Sequence, residues 1–408
     1  MLMVPPIRRS DALLLHLSHG SVTSDSRVCR SLLAAAALLG WEDVAAQGVV
    51  RGSGFEHRQA NLGQQVGNVR LWSESVVAAS PRIAAYLALF EMNARMASRA
   101  IRIRPKVVHC HDSMVLAAGW FASLVIGCKL VYDAHELESQ QGGSSGASRL
   151  CLAIERWCWK RISLLVSVSP SIIEWYQENL GPKRSVLVLN SPLISSLAGE
   201  EVQGVRRAFG SPGYFHSRFG IPAGTPVFVY LGLLVRGRGI QQVLEVFGRG
   251  NVASHVVFMG TGDTEGVEDH ARRFPNIHLH QAVPHDEVVK FVREADCGLC
   301  LIEDVSLSDR LCLPNKLFEY AFAGVPMLAS RLPEIARVVQ QYGLGACCDN
   351  DADSIEAAVL KIEREGLARP EADLTELSWD TQAKRLQEAY RQLLLDGGAA
   401  VPDNQGHR

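Results

Sequence analysis

Short apolar runs alternate with longer stretches of helical periodicity along most of the chain. Residues 12–17 read as a first strand. A helix follows, opened by the capping signals Ser24, Asp25 and Ser26, carrying Ser31, Leu32, Leu33 and Ala34, and stopped at Gly40. Further apolar runs occupy 107–111, 129–132, 164–168 and 186–189. Runs this short, separated by helical patterns, predict βαβ units and a parallel sheet. From 191 to 224 the pattern dissolves into Ser, Pro and Gly with scattered charges. It resumes at 227–231, 255–259, 277–280, 298–302, 326–329 and 345–347, each run trailed by helical periodicity. A long helix is predicted over 379–394, and Gly397, Gly398, Pro402 and Gly406 mark a frayed end. The pattern divides the chain into a first α/β domain (1–195), a linker (196–224), a second α/β domain (225–375), a helix expected to cross back to the first domain (376–395) and a tail (396–408).

Composition narrows the class. A chain of 408 residues exceeds one ordinary core, and its 47% hydrophobic and 21% charged residues describe a globular protein. A net charge of −2 argues against a nucleic-acid partner. The ten cysteines sit mostly inside apolar runs, which fits a reducing cytoplasm better than a disulfide framework. No apolar run reaches the ~18 residues of a membrane span, and the first residues lack a signal-peptide pattern. The expected location is cytoplasmic, with peripheral contact at the inner face of the membrane as an option. That option rests on the helix 148–162, which mixes Arg149, Arg156, Lys160 and Arg161 with Leu150, Leu152, Trp157 and Trp159. The expectation is that its apolar stripe packs against the sheet.

Ligands of open α/β sheets bind beyond the carboxyl ends of the strands, so chemistry is sought there. The segment from Leu313 to Pro326 reads as a loop, a helix opened after Pro314, a stop at Gly324 and a strand. The helix start offers backbone N–H groups from Asn315 to Leu317 to a phosphate, and Lys316 adds charge. Glu319, one turn on, can accept from a ribose diol; the alternative is an amphipathic helix with a solvated glutamate. Arg236 and Arg238 stand on a glycine-rich turn after the 227–231 strand, where guanidinium forks can grip phosphate or remain solvated. Gly260-Thr261-Gly262-Asp263 follows the next strand and suits a close backbone approach. In the first half, His109-Cys110-His111-Asp112 and Asp133-Ala134-His135-Glu136 follow two strands. Cys297-x-x-Cys300 reads as core, and Asp304 as a loop cap.

These residues together resemble the retaining glycosyltransferases of family 4, in the bacterial branch with the Pro-Asn-Lys-Leu-Phe-Glu motif, over about residues 11–395. The resemblance implies an α/β fold of GT-B type: two Rossmann-like domains with parallel sheets facing across a cleft. It implies transfer of a sugar from a nucleotide diphosphate sugar, UDP or GDP, to a glycan, lipid-linked or small-molecule acceptor with retention. It places Arg236, Arg238, Asn315, Lys316 and Leu317 on the donor diphosphate, Glu319 on the ribose, and Gly260, Gly262, Ala282 and Val283 at the base. Gly20, Asp112, His135 and Glu136 fall on the acceptor or sugar side. His111 and Arg238 become the catalytic pair, and Arg27, Val166-Ser167-Val168-Ser169 and Asn190 match further landmarks. Many members carry two glutamates separated by seven residues, but the first position is Leu311 here. Leu233 likewise stands where some members have arginine, and Arg236 is its candidate substitute.

His109 and His111 share one side of a strand, and with Asp112, Asp133, His135 and Glu136 they could gather zinc or manganese. GT-B donor sites neutralise diphosphate with basic side chains and helix dipoles, so no metal and no cofactor is expected. A nucleotide-sugar epimerase of the same fold and a non-catalytic GT-B-like partner subunit remain alternatives. A Rossmann dehydrogenase is poorly supported, since no Gly-x-Gly-x-x-Gly follows the first strand.

Overall fold

The computed structural model describes residues 12–22, 25–49, 56–62, 65–74, 82–142, 146–193, 208–285 and 287–397. They form two compact units, one running to Val188 and resuming at Gln382, the other spanning Leu189–Thr381.

Unit 1 holds strands β1 (Leu14–Ser18), β2 (Val44–Val49), β3 (Glu56–Leu62), β4 (Gln65–Glu74), β5 (Val107–His111), β6 (Lys129–Ala134), β7 (Ile162–Ser167) and β8 (Ser185–Leu187). They make one sheet in the order β3-β4-β2-β1-β5-β6-β7-β8, parallel except for the β3–β4 pair. Strands β2, β3 and β4 escaped the hydrophobic pattern. β2 is built mostly of small residues, and β3 and β4 are a polar hairpin at the sheet edge, so neither shows an apolar run. The first helix, Ser26–Leu39, is capped by Asp25, whose carboxylate accepts from the N–H groups of Arg27 and Val28 at 2.9 and 3.1 Å.

Unit 2 holds β9 (Val227–Leu231), β10 (His255–Met259), β11 (Ile277–His280), β12 (Cys297–Cys300), β13 (Met327–Ser330) and β14 (Gly345–Cys348). All are parallel, in the order β11-β10-β9-β12-β13-β14. Phe228 and Tyr230 of β9, Phe258 of β10 and Val243 and Phe247 of the helix Ile240–Gly248 form the heart of its core. Each such fully buried side chain contributes about 1.5–3 kcal/mol. Residues 208–224, read from sequence as linker, carry a helix, Tyr214–Phe219, that packs into unit 2. Phe215 is fully buried there, and Asp296 accepts from the Gly210 N–H at 3.0 Å.

In both sheets the chain builds outward from a central pair in opposite directions. The reversal falls between β1 and β5 in unit 1 and between β9 and β12 in unit 2. At such a point the loops leaving adjacent strands diverge and open a crevice. The last helix, Trp379–Asp396, enters unit 1 at Gln382; Tyr390 lies 2.7 Å from His109 there.

Candidate functional site

In unit 1 the parallel register sets His16 beside His109, and both Ser18 and Asp133 beside His111, at the β1/β5 reversal. His16, His109, His111 and Asp133 are fully buried. Arg27 makes a two-pronged contact with Asp133, at 2.8 and 3.1 Å, and also donates to the Val188 carbonyl at 2.5 Å. Burial pushes the Asp133 carboxyl up, but Arg27, then His135, His109 and His111, outweigh it and hold the group well below the usual carboxylate range.

The rings form a file. His111 Nδ1 is 3.0 Å from His135 Nε2, and His111 Nε2 is 2.9 Å from His16 Nδ1. Burial pulls His135 down, yet Asp112 and Asp133 beside it raise it to about 9, so it is an imidazolium at neutral pH. Burial, then the neighbouring His109, lowers His111 to about 3. Burial likewise lowers His16 and His109.

Asp112 closes the group. Its carboxylate lies 3.3 Å from His135 Nδ1 and 3.8 Å from His19 Nδ1. Burial pushes it up to about 7 despite His135. Its backbone stands at φ 67°, ψ 166°, a region that side chains other than hydrogen resist. The N–H of Asp112 is tied to the Asp133 carbonyl at 3.0 Å, which holds that strained turn in place. His111, expected to contact the sugar, has no exposed surface; the members that reach solvent are His19, Asp112 and His135. Glu136 is exposed and accepts from Gln141 at 2.6 Å. Gly20 receives the Val49 N–H on its carbonyl, and the space its missing side chain would fill is open. Two groups of three donors, His16/His109/His111 and His111/Asp133/His135, have ligand atoms within 4.8 Å of one another. Asp133 in the second group is already gripped by Arg27.

In unit 2 the helix Asn315–Ala323 points its start at the β9/β12 reversal. Tyr320 anchors it there: its hydroxyl accepts from the Leu231 N–H at 2.9 Å and reaches the Val229 and Leu299 carbonyls at 3.1 and 3.3 Å. Lys316 is buried with its ammonium 3.9 Å from the centre of the Tyr230 ring and without a hydrogen-bond acceptor among the described residues. The carbonyl of Pro314 takes the N–H of Leu317 at 3.1 Å. The first turn thus tightens and occupies the Leu317 N–H, one of the three expected to face a phosphate. The thiol of Cys300, pushed up to about 12 by burial, lies in the fields of Lys316, Arg238 and Glu319, so these three charges gather at the end of β12.

The turn after β9 leaves Arg236 exposed and Arg238 half-buried, 3.7 Å from Asp309. Gly239 adopts φ 71°, and its N–H is held by Glu303 at 3.2 Å. Gly260 and Gly262, expected at the base, have a packing reason of their own. A methyl on Gly260 would stand 1.8 Å from the Gly232 carbonyl, and one on Gly262 2.6 Å from that of Leu234. Ala282 and Val283 lie after β11, at the sheet edge, exposed and half-buried. Tyr230, Glu303 and Asp309 were not anticipated from sequence. His16 could have been, since a histidine between Leu15 and Leu17 interrupts a strand core.

The comparisons fall on these two units separately. A family model described as glycosyl transferase 4-like domain matches residues 26–192, and one described as glycosyl transferases group 1 matches 225–365. No curated protein matches the chain in a sequence search. Among solved structures, sucrose-phosphate synthase from Thermosynechococcus elongatus superposes with a TM-score of 0.65 at 13% identity, over 95% of each chain. Anabaena HepE in complex with UDP-glucose gives 0.62 at 11%, covering 94% of this chain and 97% of that one. The α,α-trehalose-phosphate synthase (UDP-forming) of Burkholderia xenovorans, in complex with glucose-6-phosphate, gives 0.63 at 10%, over 94% and 99%. At such identities these structures share the fold alone. Two α/β units, parallel apart from the β3–β4 pair, match the GT-B architecture of these structures. With both halves matched by glycosyltransferase family models, the chain belongs to the glycosyltransferases of GT-B fold.

Proposed function

We propose that this enzyme moves a sugar from a nucleoside diphosphate, UDP or GDP, to a glycan or lipid-linked acceptor with retention at the anomeric carbon. The observation that carries the donor half is Lys316: a buried ammonium without an acceptor among the described residues, at an open helix start, with Arg238 and Glu319 near the same strand end. A diphosphate supplies the anion such a site lacks. The HepE structures with UDP and UDP-glucose make UDP-sugars the first to test.

As the bond from the anomeric carbon to phosphate oxygen breaks, negative charge grows on the leaving diphosphate. Arg236, Arg238, Lys316 and the N–H groups of Asn315 and Lys316 stabilise it. Glu319 accepts from the ribose hydroxyls. The leaving phosphate oxygen takes the acceptor proton while the acceptor attacks from the same face. This reading of retention needs no carboxylate nucleophile, and two nearby carboxylates have other work: Asp309 neighbours Arg238 and Glu303 holds Gly239. On the sugar or acceptor side, His135 and Asp112 face outward, with His111 behind His135 setting its ring.

Thermal unfolding with a panel of nucleotide sugars tests this. A correct donor at a hundredfold its dissociation constant stabilises by about 2.7 kcal/mol. The shift is expected with excess chelator present and absent from Lys316→Met, whose unliganded stability should match or exceed wild type. If no nucleotide sugar raises the melting temperature, the reading fails.

A further inference from the structure

One face of unit 1 has no role in the chemistry above. The helices Arg82–Ile103, Leu116–Ile126 and Gly146–Cys158 present an unusual set of large apolar side chains to solvent. Phe90 is 74% exposed and Trp157 71%, with Leu87, Phe121, Leu124 and Val125 each about half exposed or more. Between the helices lies a cavity of about 770 Å³, lined by Phe90, Trp120, Phe121, Ile154 and Trp157, with Arg102 also on its lining. Trp157 leans edge-on against Trp120, ring centres 5.7 Å apart, which holds it out at the surface. Isolated exposed apolar residues are ordinary, but a contiguous patch of this kind marks a contact surface.

The charge around the patch selects the partner. The first of these helices and the segment 146–161 carry eight basic residues and two acids, and the helix between them carries no charge. Neither acid opposes the excess at the surface. Glu91 is paired with Arg95, and Glu155 is buried, accepting from the hydroxyls of Tyr132 and Tyr176 at 2.7 and 2.5 Å. Arg95, Arg102, Arg149, Arg156, Lys160 and Arg161 are exposed. Two copies of this face brought together would oppose like charges. An anionic phospholipid surface instead meets both features, taking aromatic side chains at headgroup depth and drawing basic ones to its charge.

We infer that this three-helix face docks the protein onto an anionic phospholipid bilayer, with Phe90, Phe121 and Trp157 entering the interface and the cavity receiving a lipid chain. The inference stands apart from the donor chemistry, which resides in unit 2.

The full chain is sedimented with vesicles rich in phosphatidylglycerol and, separately, with vesicles of phosphatidylcholine alone. Wild type is expected on the anionic vesicles, with affinity at least about tenfold lower for the neutral ones. Phe90→Ser/Trp157→Ser should lose about tenfold or more, and Arg156→Glu/Lys160→Glu should abolish the anionic preference. Circular dichroism and nucleotide-sugar shifts of both variants should match wild type, since every altered side chain is exposed. Failure to sediment with anionic vesicles overturns the proposal, as does equal binding to both vesicle types. Self-association of the lipid-free protein that the serine pair abolishes would also overturn it, reassigning the face to a second copy.

Discussion

Lys316 keeps its ammonium out of water against the face of Tyr230, a contact worth about 2 kcal/mol when desolvated and far less than the hydration it replaces. A residue held at such a cost in the free enzyme fits the proposed donor diphosphate. Glu319, one turn further along the same helix, tests whether that anion belongs to a nucleotide. A charged hydrogen bond to ribose is worth about 1.5–3 kcal/mol. Glu319→Ala is therefore expected to weaken donor binding about tenfold or more, while a 2′-deoxy donor, already poor, should lose little further. Calorimetry on the four combinations yields the coupling; a coupling near zero would make Glu319 a surface residue of an amphipathic helix. In unit 1 the decisive residue is Arg27. Truncation to alanine leaves Asp133 charged and buried without its main partner, and about 3–5 kcal/mol of stability should go. Adding Asp133→Asn should recover part of that loss in guanidinium unfolding. Equal stability of the single and double variants would show that the pair is not coupled.

Among the elements, the loops after β9 and β10 are stitched into one. The N–H of Leu234 donates to the Thr261 carbonyl at 2.7 Å, and the N–H of Asp263 donates back to Leu234 at 2.8 Å. Gly260 permits this, because no side chain fits against the Gly232 carbonyl. The glycines thus set the position of Arg236 and Arg238 from behind, whatever they do for a base. Gly260→Ala should lower the melting temperature of the unliganded enzyme and cost at least about 2 kcal/mol, since backbone must move. A variant with unchanged apo stability but impaired donor binding would instead assign Gly260 to the ligand. The helix Asn315–Ala323 shows the same logic: Tyr320, rather than its charged start, fixes where that start lies.

For the whole molecule, acid should act on both units, since burial lowers His255 and, to about 4, His278 in unit 2 as well as the histidines of unit 1. His16, His109 and His111 stay neutral when folded, whereas the unfolded chain binds their protons near pH 6.5. As pH falls below 6.5 the unfolded state holds more protons and stability drops, for His111 down to about 3. Asp133 adds the same sign below its ordinary value of 3.8. Asp112 opposes them, since its carboxyl, raised to about 7, adds stability as pH falls from there to 3.8. His135 contributes fully below 6.5 and is lost as pH rises through about 9. Three histidines outweigh one carboxyl, at about 1.4 kcal/mol per pH unit for each unmatched proton. Guanidinium unfolding should therefore show a lower midpoint at about pH 5 than at about pH 7. A midpoint that holds or rises toward about pH 5 would contradict the neutral histidine file.

Sequence alone determined what depends on neighbours along the chain. The alternation of short apolar runs with helices specified two parallel α/β units, because a buried strand must be apolar on both faces. Asp25, Gly40, Pro314 and Gly324 marked their helix ends by local backbone preference. The basic turn at 236–240 and the 313–326 motif were equally legible, being contiguous. The polar hairpin β3–β4 was not, since an edge strand needs no apolar run. Tertiary structure decided everything that rests on strand order. Only the β1/β5 pairing sets His16 against His109 and His111, and only the packing of the first and last helices brings Arg27 to Asp133 and Tyr390 to His109. Strand pairing and burial across 95 to 281 positions, together with the charges they enclose, made His111 a buried neutral ring and His135 its charged, solvent-reaching neighbour.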